Sequence, residues 1–184
     1  MLKNIVLIQF SGRKEGNCSA IADVIGKFHH DKTVQSYIID ANTMPACSNC
    51  DYECLVYGKT CPNLTQEQSQ IYDAVCNSEI TYMIIPNYCG YPCANYFAYN
   101  ERSVGFFNMD RELMDKYMNA KKRFIILSNT ESDNFVNALK QQSDNPVIQY
   151  LKTGQYGKCS IAGNLMEAEA AKNDLIAFLK ACSI

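Results

Sequence analysis

The chain has 184 residues, of which 47% are hydrophobic and 20% are charged, a composition typical of a folded chain rather than a disordered one. Its length suits one globular domain, and we expect residues 1–184 to form a single domain. Seventeen basic and nineteen acidic residues give a formal net charge of −2, so binding to nucleic acid or an anionic membrane is not expected. The apolar runs are far shorter than the roughly 20 residues of a membrane span, and the N-terminus lacks a signal-peptide pattern. We therefore expect a cytoplasmic protein.

The first half of the chain alternates strand-like runs with amphipathic helical patterns. A buried strand is predicted over residues 4–10, followed by a helix with apolar residues at i, i+3, i+4 and i+7: Ile21, Val24, Ile25 and Phe28. A second strand is expected over 33–39. The next helix begins near Thr65, because Thr65 and Gln68 have the spacing of a capping box. A third strand is predicted over 80–86, where Pro86 is expected to end it.

The second half continues this alternation. Helices are predicted around residues 109–118 and 135–139, with a fourth strand over 123–128 and a fifth over 156–162. The last helix begins near Asn164 and buries a row of small and apolar residues: Ala168, Ala171, Leu175, Leu179 and Cys182. Strands that alternate with helices form a parallel sheet with helices on both faces. The sequence therefore predicts a doubly wound α/β fold with five parallel strands.

The polar segment after the first strand is the clearest candidate for a binding loop. In an open parallel sheet, ligands bind outside the carboxyl ends of the strands, where the strand order reverses. Residues 11–19 supply hydroxyl, amide and cationic side chains just where a helix begins: Ser11, Arg13, Lys14, Asn17 and Ser19. Many βα turns contain such residues, but this combination favours a phosphate. Since neither a Walker motif nor G-x-G-x-x-G occurs, a monophosphate such as that of FMN fits better than a triphosphate or a dinucleotide.

These motifs resemble those of a known family. Ser11-Gly12-Arg13 with Gly16-Asn17-Cys18-Ser19 resembles the S-x-R-x-x-G-N-[ST] phosphate loop of NADPH-dependent FMN reductases, which have a flavodoxin-like fold. Pro86-Asn87-Tyr88 is similar to their P-x-Y flavin loop, and Glu101-Arg102 stands where they often have Asp-Arg. Two positions depart from the family pattern, because Cys18 replaces the usual Ser or Thr and Phe97 replaces a common Lys.

The resemblance implies a flavodoxin-like sheet of order 2-1-3-4-5, FMN as cofactor and NAD(P)H as reductant. The residues implied for the FMN phosphate are Ser11, Arg13, Asn17, Cys18 and Ser19. Those implied for the flavin ring are Pro86, Asn87, Tyr88, Cys89 and Gly90, with donors to its polar edge from Ser128, Asn129 and Thr130. No catalytic acid or base is expected, because the flavin carries the chemistry. The expected protein is an oxidoreductase that passes electrons from NAD(P)H to a small-molecule or protein acceptor, as a homodimer or homotetramer.

Ten cysteines in a chain expected to be cytoplasmic indicate metal or redox chemistry rather than disulfides. Four of them cluster within the loop of residues 44–63 in the order C-x2-C-x3-C-x6-C: Cys47, Cys50, Cys54 and Cys61. The iron–sulfur flavoprotein branch of the family carries C-x2-C-x2-C-x4–7-C at the same place, one residue shorter in the middle. This similarity implies a [4Fe–4S] cluster, with zinc or unoccupied thiols as open alternatives. With a cluster, the protein would be an electron carrier. A module that binds flavin or metal without turnover is the third hypothesis.

The segment after the third strand is rich in aromatic residues. We expect most of those between residues 88 and 99 to pack in the core or at an interface, with Tyr88 facing the flavin. Cys89 and Cys93 are four residues apart, the spacing of neighbours on one face of a helix.

Overall fold

The computed structural model describes residues 4–13, 15–129, 131–159 and 161–182. Its strands, in chain order, are β1 (Asn4–Gln9), β2 (Thr33–Ile38), β3 (Ile80–Tyr88), β4 (Tyr91–Pro92), β5 (Lys122–Leu127) and β6 (Val147–Leu151). Five of them are parallel and run in the order β2-β1-β3-β5-β6, while the short β4 pairs antiparallel with the end of β3. With β4 set apart, this is the predicted order 2-1-3-4-5. The flavodoxin-like fold is confirmed.

Helices cover both faces of the sheet. In the described part of the chain they are α1 (Asn17–Phe28), α2 (Gln66–Asn77), α3 (Ala94–Phe107), α4 (Arg111–Asn119), α5 (Asp133–Leu139) and α6 (Glu169–Cys182). The α2 helix begins with the predicted capping box, in which the side chains of Thr65 and Gln68 each accept a hydrogen bond from the other residue's backbone. Within the described ranges, none of these helices combines the length and hydrophobicity that a transmembrane span requires.

The sheet separates two hydrophobic cores because successive side chains of a strand point to opposite faces. Ile5 and Leu7 of β1 pack with α1 and α6, whereas Val6 and Ile8 pack on the other face with α2, α3, α4 and α5. A strand covered on both sides must be apolar at every position, as the run from Ile5 to Ile8 is.

The predicted position of the fifth strand is wrong. The strand is Val147–Leu151, which pairs with β5, and the segment predicted as a strand begins at the end of a short 3-10 turn, Thr153–Tyr156. Gly157 follows this turn with a φ of +65°, a left-handed conformation that interrupts an extended chain. β6 lies at the sheet edge and is only partly buried, so its sequence lacks the strong apolar signal of a central strand.

The segment around β4 also departs from prediction. Pro86 does not end β3, because Asn87 and Tyr88 continue the strand by pairing with Pro92 and Tyr91. Cys89 lies in the turn with a φ of +54° and Cys93 is the N-cap of α3, so the two do not share a helical face. The α3 helix was not predicted as a helix. Its aromatic residues lie on buried and exposed faces alike, which obscures its helical period.

The cysteine-rich loop lies between β2 and α2 and is irregular apart from a short 3-10 turn, Glu53–Leu55. The α3 helix anchors the start of this loop. Arg102 Nε and Nη2 donate to the carbonyl oxygens of Pro45 and Ala46, each at 2.9 Å, and the Glu101 carboxylate accepts from the Cys47 amide at 3.0 Å. The predicted Glu101-Arg102 motif therefore fixes the position of the loop.

Candidate cofactor-binding site

Residues from the three segments that are predicted to bind FMN, which follow β1, β3 and β5, line one cavity at the carboxyl ends of these strands. The cavity holds about 150 Å³ and is lined by Ser11, Arg13, Asn17, Cys18, Pro86, Asn87, Tyr88, Leu127, Ser128, Asn129, Thr153 and Ile161. A larger cavity of about 610 Å³ adjoins it and shares Ser11, Arg13 and Tyr88, adding Phe10, Gly12, Pro92, Cys93, Ala94 and Asn95. Since sites for drug-sized ligands occupy roughly 300–1,000 Å³, the larger cavity alone reaches the size of a cofactor site.

The loop after β1 presents donors suited to an anion. The α1 helix begins at Asn17, and no described side chain caps its N-terminus at Gly16. The amides of the first helical turn and the positive end of the helix dipole therefore face the loop. Arg13 is exposed, with its Nη1 at 3.5 Å from the Ile161 carbonyl, and Ser11 lines both cavities.

Two predicted phosphate ligands also have structural partners. The Asn17 amide oxygen accepts from the Leu165 backbone amide at 2.9 Å, which ties the start of α1 to the 3-10 turn Leu165–Glu167. The Ser19 hydroxyl donates to the Arg13 carbonyl at 3.3 Å, and Ser19 does not line the cavity. Both contacts fix the conformation of the loop, and direct binding of phosphate by these side chains remains a prediction.

Cys18 is a buried thiol at the floor of the smaller cavity. Burial, together with the neighbouring Cys93, raises its pKa to about 12, although the Ser11 hydroxyl and Arg13 act in the opposite direction. Cys18 is therefore a neutral thiol near pH 7 and places no negative charge beside an anion. An S–H group is a weak donor, so this substitution for Ser or Thr conserves the charge of the loop but weakens one hydrogen bond.

Asn87 shapes the hairpin at the end of β3. Its amide oxygen accepts from the Gly90 amide at 2.9 Å, and its Nδ2 donates to the Ser128 hydroxyl at 2.5 Å. Gly90 has a φ of +84°, and a Cβ there would lie 3.1 Å from the Ser132 hydroxyl. Cys89 and Gly90 thus form the turn and do not line the cavity, whereas Tyr88 is 57% exposed at its mouth.

The loop after β5 is held against the turn that follows β6. The Asn129 amide oxygen accepts from the Thr153 hydroxyl at 3.0 Å and from the Gly154 amide at 2.8 Å. An ion pair of 2.7 Å between Lys152 and Glu131 lies next to this contact in the chain. The predicted site residue Thr130 lies outside the described residues.

Sequence reasoning missed three residues that line the cavity: Leu127, Thr153 and Ile161. Thr153 lies within two residues of the end of the fifth parallel strand, as Ser11 and Ser128 lie after theirs, so correct placement of that strand would have identified it. Ile161 is 75% exposed, and a large exposed apolar residue of this kind is visible only in the structure.

The predicted metal site is not assembled. In the described part of the chain, no three His, Cys, Asp or Glu side chains converge as metal ligands. Cys61 is buried against α3, where a Cβ on Gly105 would lie 3.0 Å from its sulfur, while Cys47 is exposed. Burial raises the pKa of Cys54, as do Cys61, Cys50 and Cys47, so the four thiols are electrostatic neighbours without forming a ligand set.

Comparison with known proteins supports the fold. No family model matches the chain, and no curated protein matches it. Among solved structures, it is similar to the flavoenzyme NAD(P)H:(acceptor) oxidoreductase FerB from Paracoccus denitrificans, with a TM-score of 0.59 and 12% identity over 99% of this chain and 98% of that chain. The Trp repressor binding protein of Bacillus subtilis has a TM-score of 0.60 and 11% identity over 96% of this chain and 97% of that chain. The apo form of the NADH:FMN oxidoreductase EMOB has a TM-score of 0.50 and 11% identity over 97% of this chain and 89% of that chain. At such low identity these likenesses show the shared fold, which is the flavodoxin-like fold of the family that the sequence motifs resemble.

Proposed function

We propose that this protein is an FMN-dependent oxidoreductase that takes a hydride from NAD(P)H and passes electrons to an acceptor. The observation that carries the proposal is the convergence of an exposed arginine, a hydroxyl group and a helix start that no described side chain caps, in the cavity at the carboxyl ends of the strands. In a doubly wound fold this is where a nucleotide ligand binds. The likeness to solved structures named as NAD(P)H and NADH:FMN oxidoreductases supports the same function.

The donors of the β1–α1 loop fit the phosphate of FMN. Phosphate oxygens only accept hydrogen bonds, and the loop offers the Arg13 guanidinium, the Ser11 hydroxyl and the first amides of α1. Asn17, which is buried, and the half-buried Ser19 hold this loop in shape through Leu165 and the Arg13 carbonyl. The neutral Cys18 thiol adds no repulsion.

The remaining walls fit the ring system. When bound, FMN supplies the hydride chemistry, and the protein binds and orients it. Pro86 and Leu127 offer apolar surface, Tyr88 offers an exposed aromatic face, and the loop of Ser128 and Asn129 offers polar groups near the ring edge. The smaller cavity cannot hold the whole cofactor, so the FMN would extend past Tyr88 into the larger cavity on the side of Phe10 and Pro92, where the nicotinamide and then an acceptor would reach it.

The acceptor that we propose is a small molecule or a protein, and the proposed assembly is a homodimer or homotetramer. The segment from Tyr52 to Tyr57 supports self-association, because it exposes four large apolar side chains within six residues: Tyr52, Leu55, Val56 and Tyr57. All ten cysteines are free thiols, in keeping with the proposed cytoplasmic location. An electron carrier built on a [4Fe–4S] cluster is not proposed, because the four thiols do not converge.

Anaerobic reduction of the FMN-loaded protein tests the function. We expect one FMN per chain and bleaching of its visible absorbance by NADH or NADPH, with repeated turnover once an acceptor such as a quinone is added. An FMN-loaded protein that neither nucleotide reduces would be a binding module without turnover. A protein that binds no flavin would contradict the proposal altogether.

A further inference from the structure

Two cavities outside the candidate site lie on opposite faces of one strand, β2. One holds about 340 Å³ between β2 and α1, and its lining includes Val34 and Ser36. The other, also of about 340 Å³, lies between β2 and α2, and its lining includes Gln35 and Tyr37. Successive side chains of β2 therefore border two open grooves. The strand itself lies at the edge of the sheet, where among the described strands it pairs only with β1.

The outer edge of β2 presents backbone groups that can bind a further strand. In an extended strand, the amide and carbonyl groups of one residue point to one side and those of the next residue point to the other. The Ile39 amide donates to the Gln9 carbonyl at 2.8 Å, so Gln35 also faces β1, while Val34 and Ser36 face outward. No described strand lies on that side. Two amide and two carbonyl groups thus point away from the sheet.

Other parts of the sheet edges are closed by side chains. At the end of β2, Thr43 Oγ1 accepts from the Asp40 amide at 2.9 Å and donates to the Ile38 carbonyl at 2.8 Å. At the opposite edge of the sheet, the Gln149 side-chain amide of β6 donates to the outward carbonyl of Tyr150 at 3.0 Å. The middle of β2 has no such cover.

The sequence of β2 also lacks the usual protection of an edge strand. Exposed edges commonly carry charged residues, proline or a bulge, which prevent pairing with another chain. The β2 sequence TVQSYI has no charged residue and no proline, and its register with β1 is unbroken. It is rich in the β-branched and aromatic residues that favour strands. The strand is therefore suited to pairing, both as the edge and as the strand that is added to it.

The open backbone groups of β2 are complementary to those of a second β2. When two such strands run antiparallel about a two-fold axis at Gln35, Val34 of each copy lies opposite Ser36 of the other. Each of these pairs exchanges two backbone hydrogen bonds, so all the outward groups of both residues find partners. Thr33 then lies opposite Tyr37, and a β-branched residue beside an aromatic one is a favourable cross-strand pair.

The charges on the neighbouring helix fit the same axis. Asp23 and Lys27 of α1 are exposed and line the groove that Val34 and Ser36 border, so they lie level with the middle of β2. The axis reverses the direction of α1 in the second copy, and Asp23 of each copy therefore faces Lys27 of the other across the joined groove. Opposite charges meet and like charges are kept apart. This pattern favours a second copy over an unrelated strand.

We propose that β2 is a self-association surface, at which a second copy of this chain adds its own β2 antiparallel and joins the two sheets into one. The surface shares no residue with the segment from Tyr52 to Tyr57. The strand pairing alone gives a homodimer, and both surfaces together give a homotetramer. This inference deepens the proposed assembly and does not depend on FMN, because the cofactor cavity lies at the carboxyl ends of other strands.

Charge exchange at Gln35 tests the proposal by sedimentation velocity. Gln35 is exposed and borders a groove, so the fold should tolerate Gln35→Lys and Gln35→Asp. Each substitution places two like charges directly opposite each other at the axis. We expect each variant alone to associate at least about tenfold more weakly than the original protein, so that the mass of the particle halves. An equimolar mixture of Q35K and Q35D should recover the association, because lysine then faces aspartate.

The matched controls are Gln141→Lys and Gln141→Asp, at an exposed glutamine in the turn after α5. Both should associate like the original protein, alone and when mixed. Far-UV circular dichroism and FMN affinity are measured for every variant, and both should be unchanged in Q35K and Q35D.

Amide hydrogen exchange tests the register on the original protein. The Gln35 amide is bonded to β1 in the single chain, whereas the amides of Val34 and Ser36 gain partners only in the dimer. As the protein concentration rises, we expect exchange to slow at Val34 and Ser36 and to change little at Gln35.

A protein that remains a single chain throughout this concentration range would overturn the proposal. Undiminished association in Q35K and Q35D, or a mixture of the two that does not recover what each has lost, would also overturn it. These outcomes would leave the proposed function intact, whereas an original protein that associates through β2 but binds no FMN would contradict the proposed function alone.

Discussion

Replacement of Arg13 by Ala separates phosphate recognition from binding of the flavin ring. The Arg13 side chain is exposed, and its hydrogen bond to the Ile161 carbonyl spans 3.5 Å, the limit for such a bond, so its loss should change the stability of the fold by less than about 0.5 kcal/mol. A charge-assisted hydrogen bond to phosphate contributes about 1.5–3 kcal/mol, which corresponds to about a 10- to 150-fold increase in the Kd for FMN. Riboflavin has no phosphate, so its Kd should change less than about twofold.

Quenching of flavin fluorescence during titration measures both dissociation constants. Lys27→Ala is the matched control, because it removes one positive charge from an exposed position near the opposite end of α1. The loss of FMN affinity in R13A should also shrink as salt is added to both proteins, since an exposed charge is screened. An equal loss of affinity for FMN and riboflavin, or an equal loss in K27A, would refute the assignment of Arg13 to the phosphate.

Three further predictions concern the cavity mouth, the hairpin and the core. Tyr88→Ala should change the bound-flavin spectrum and affinity while the matched substitution Tyr91→Ala, on the neighbouring strand, changes them less, as visible absorbance would show. Gly90→Ala should lower the free energy of unfolding by about 1–2 kcal/mol and weaken FMN binding. The reason is that a φ of +84° and a contact of 3.1 Å with the Ser132 hydroxyl both disfavour a Cβ at this position. Urea unfolding measures the change in stability. Burial lowers the pKa of Lys122 from 10.5 to about 7, so the unfolded chain binds more protons between these values and stability should rise with pH across this window. In the Lys122→Met variant, the urea midpoint of unfolding should not rise over this pH range. A rise as large in this variant as in the original protein would contradict the prediction.

The sequence was sufficient for the central strands and the loops that follow them. Ile5 to Ile8 and Ile80 to Ile85 are apolar at nearly every position because helices cover both of their faces, and this signal is local. Ser11, Tyr88 and Ser128 could then be placed together, since parallel strands bring their carboxyl ends to one edge. These predictions depended on the pattern of apolar residues along the chain and on the rule that ligands bind outside the carboxyl ends of parallel strands.

Features that depend on contacts between distant segments were not predictable. The amide of Asn87 is engaged by Gly90 and Ser128, and that of Asn129 by Thr153 and Gly154, so their structural roles appear only once β3, β5 and β6 are placed. The convergence of four thiols on a metal was implied by the similarity of their spacing to that of the iron–sulfur branch of the family. Spacing does not fix the path of an irregular loop, and here packing of Cys61 against Gly105 determines it instead.

The most direct test of the account is an amide chemical-shift map of the 20.7 kDa protein during titration with FMN. The shifts report where the ligand binds without any assumption about turnover. We predict the largest changes in residues 11–19, 86–90 and 128–129 and at Thr153, saturating at one FMN per chain. Small changes there with large changes in residues 44–63, or no saturable change at all, would contradict the assignment of this cavity to FMN.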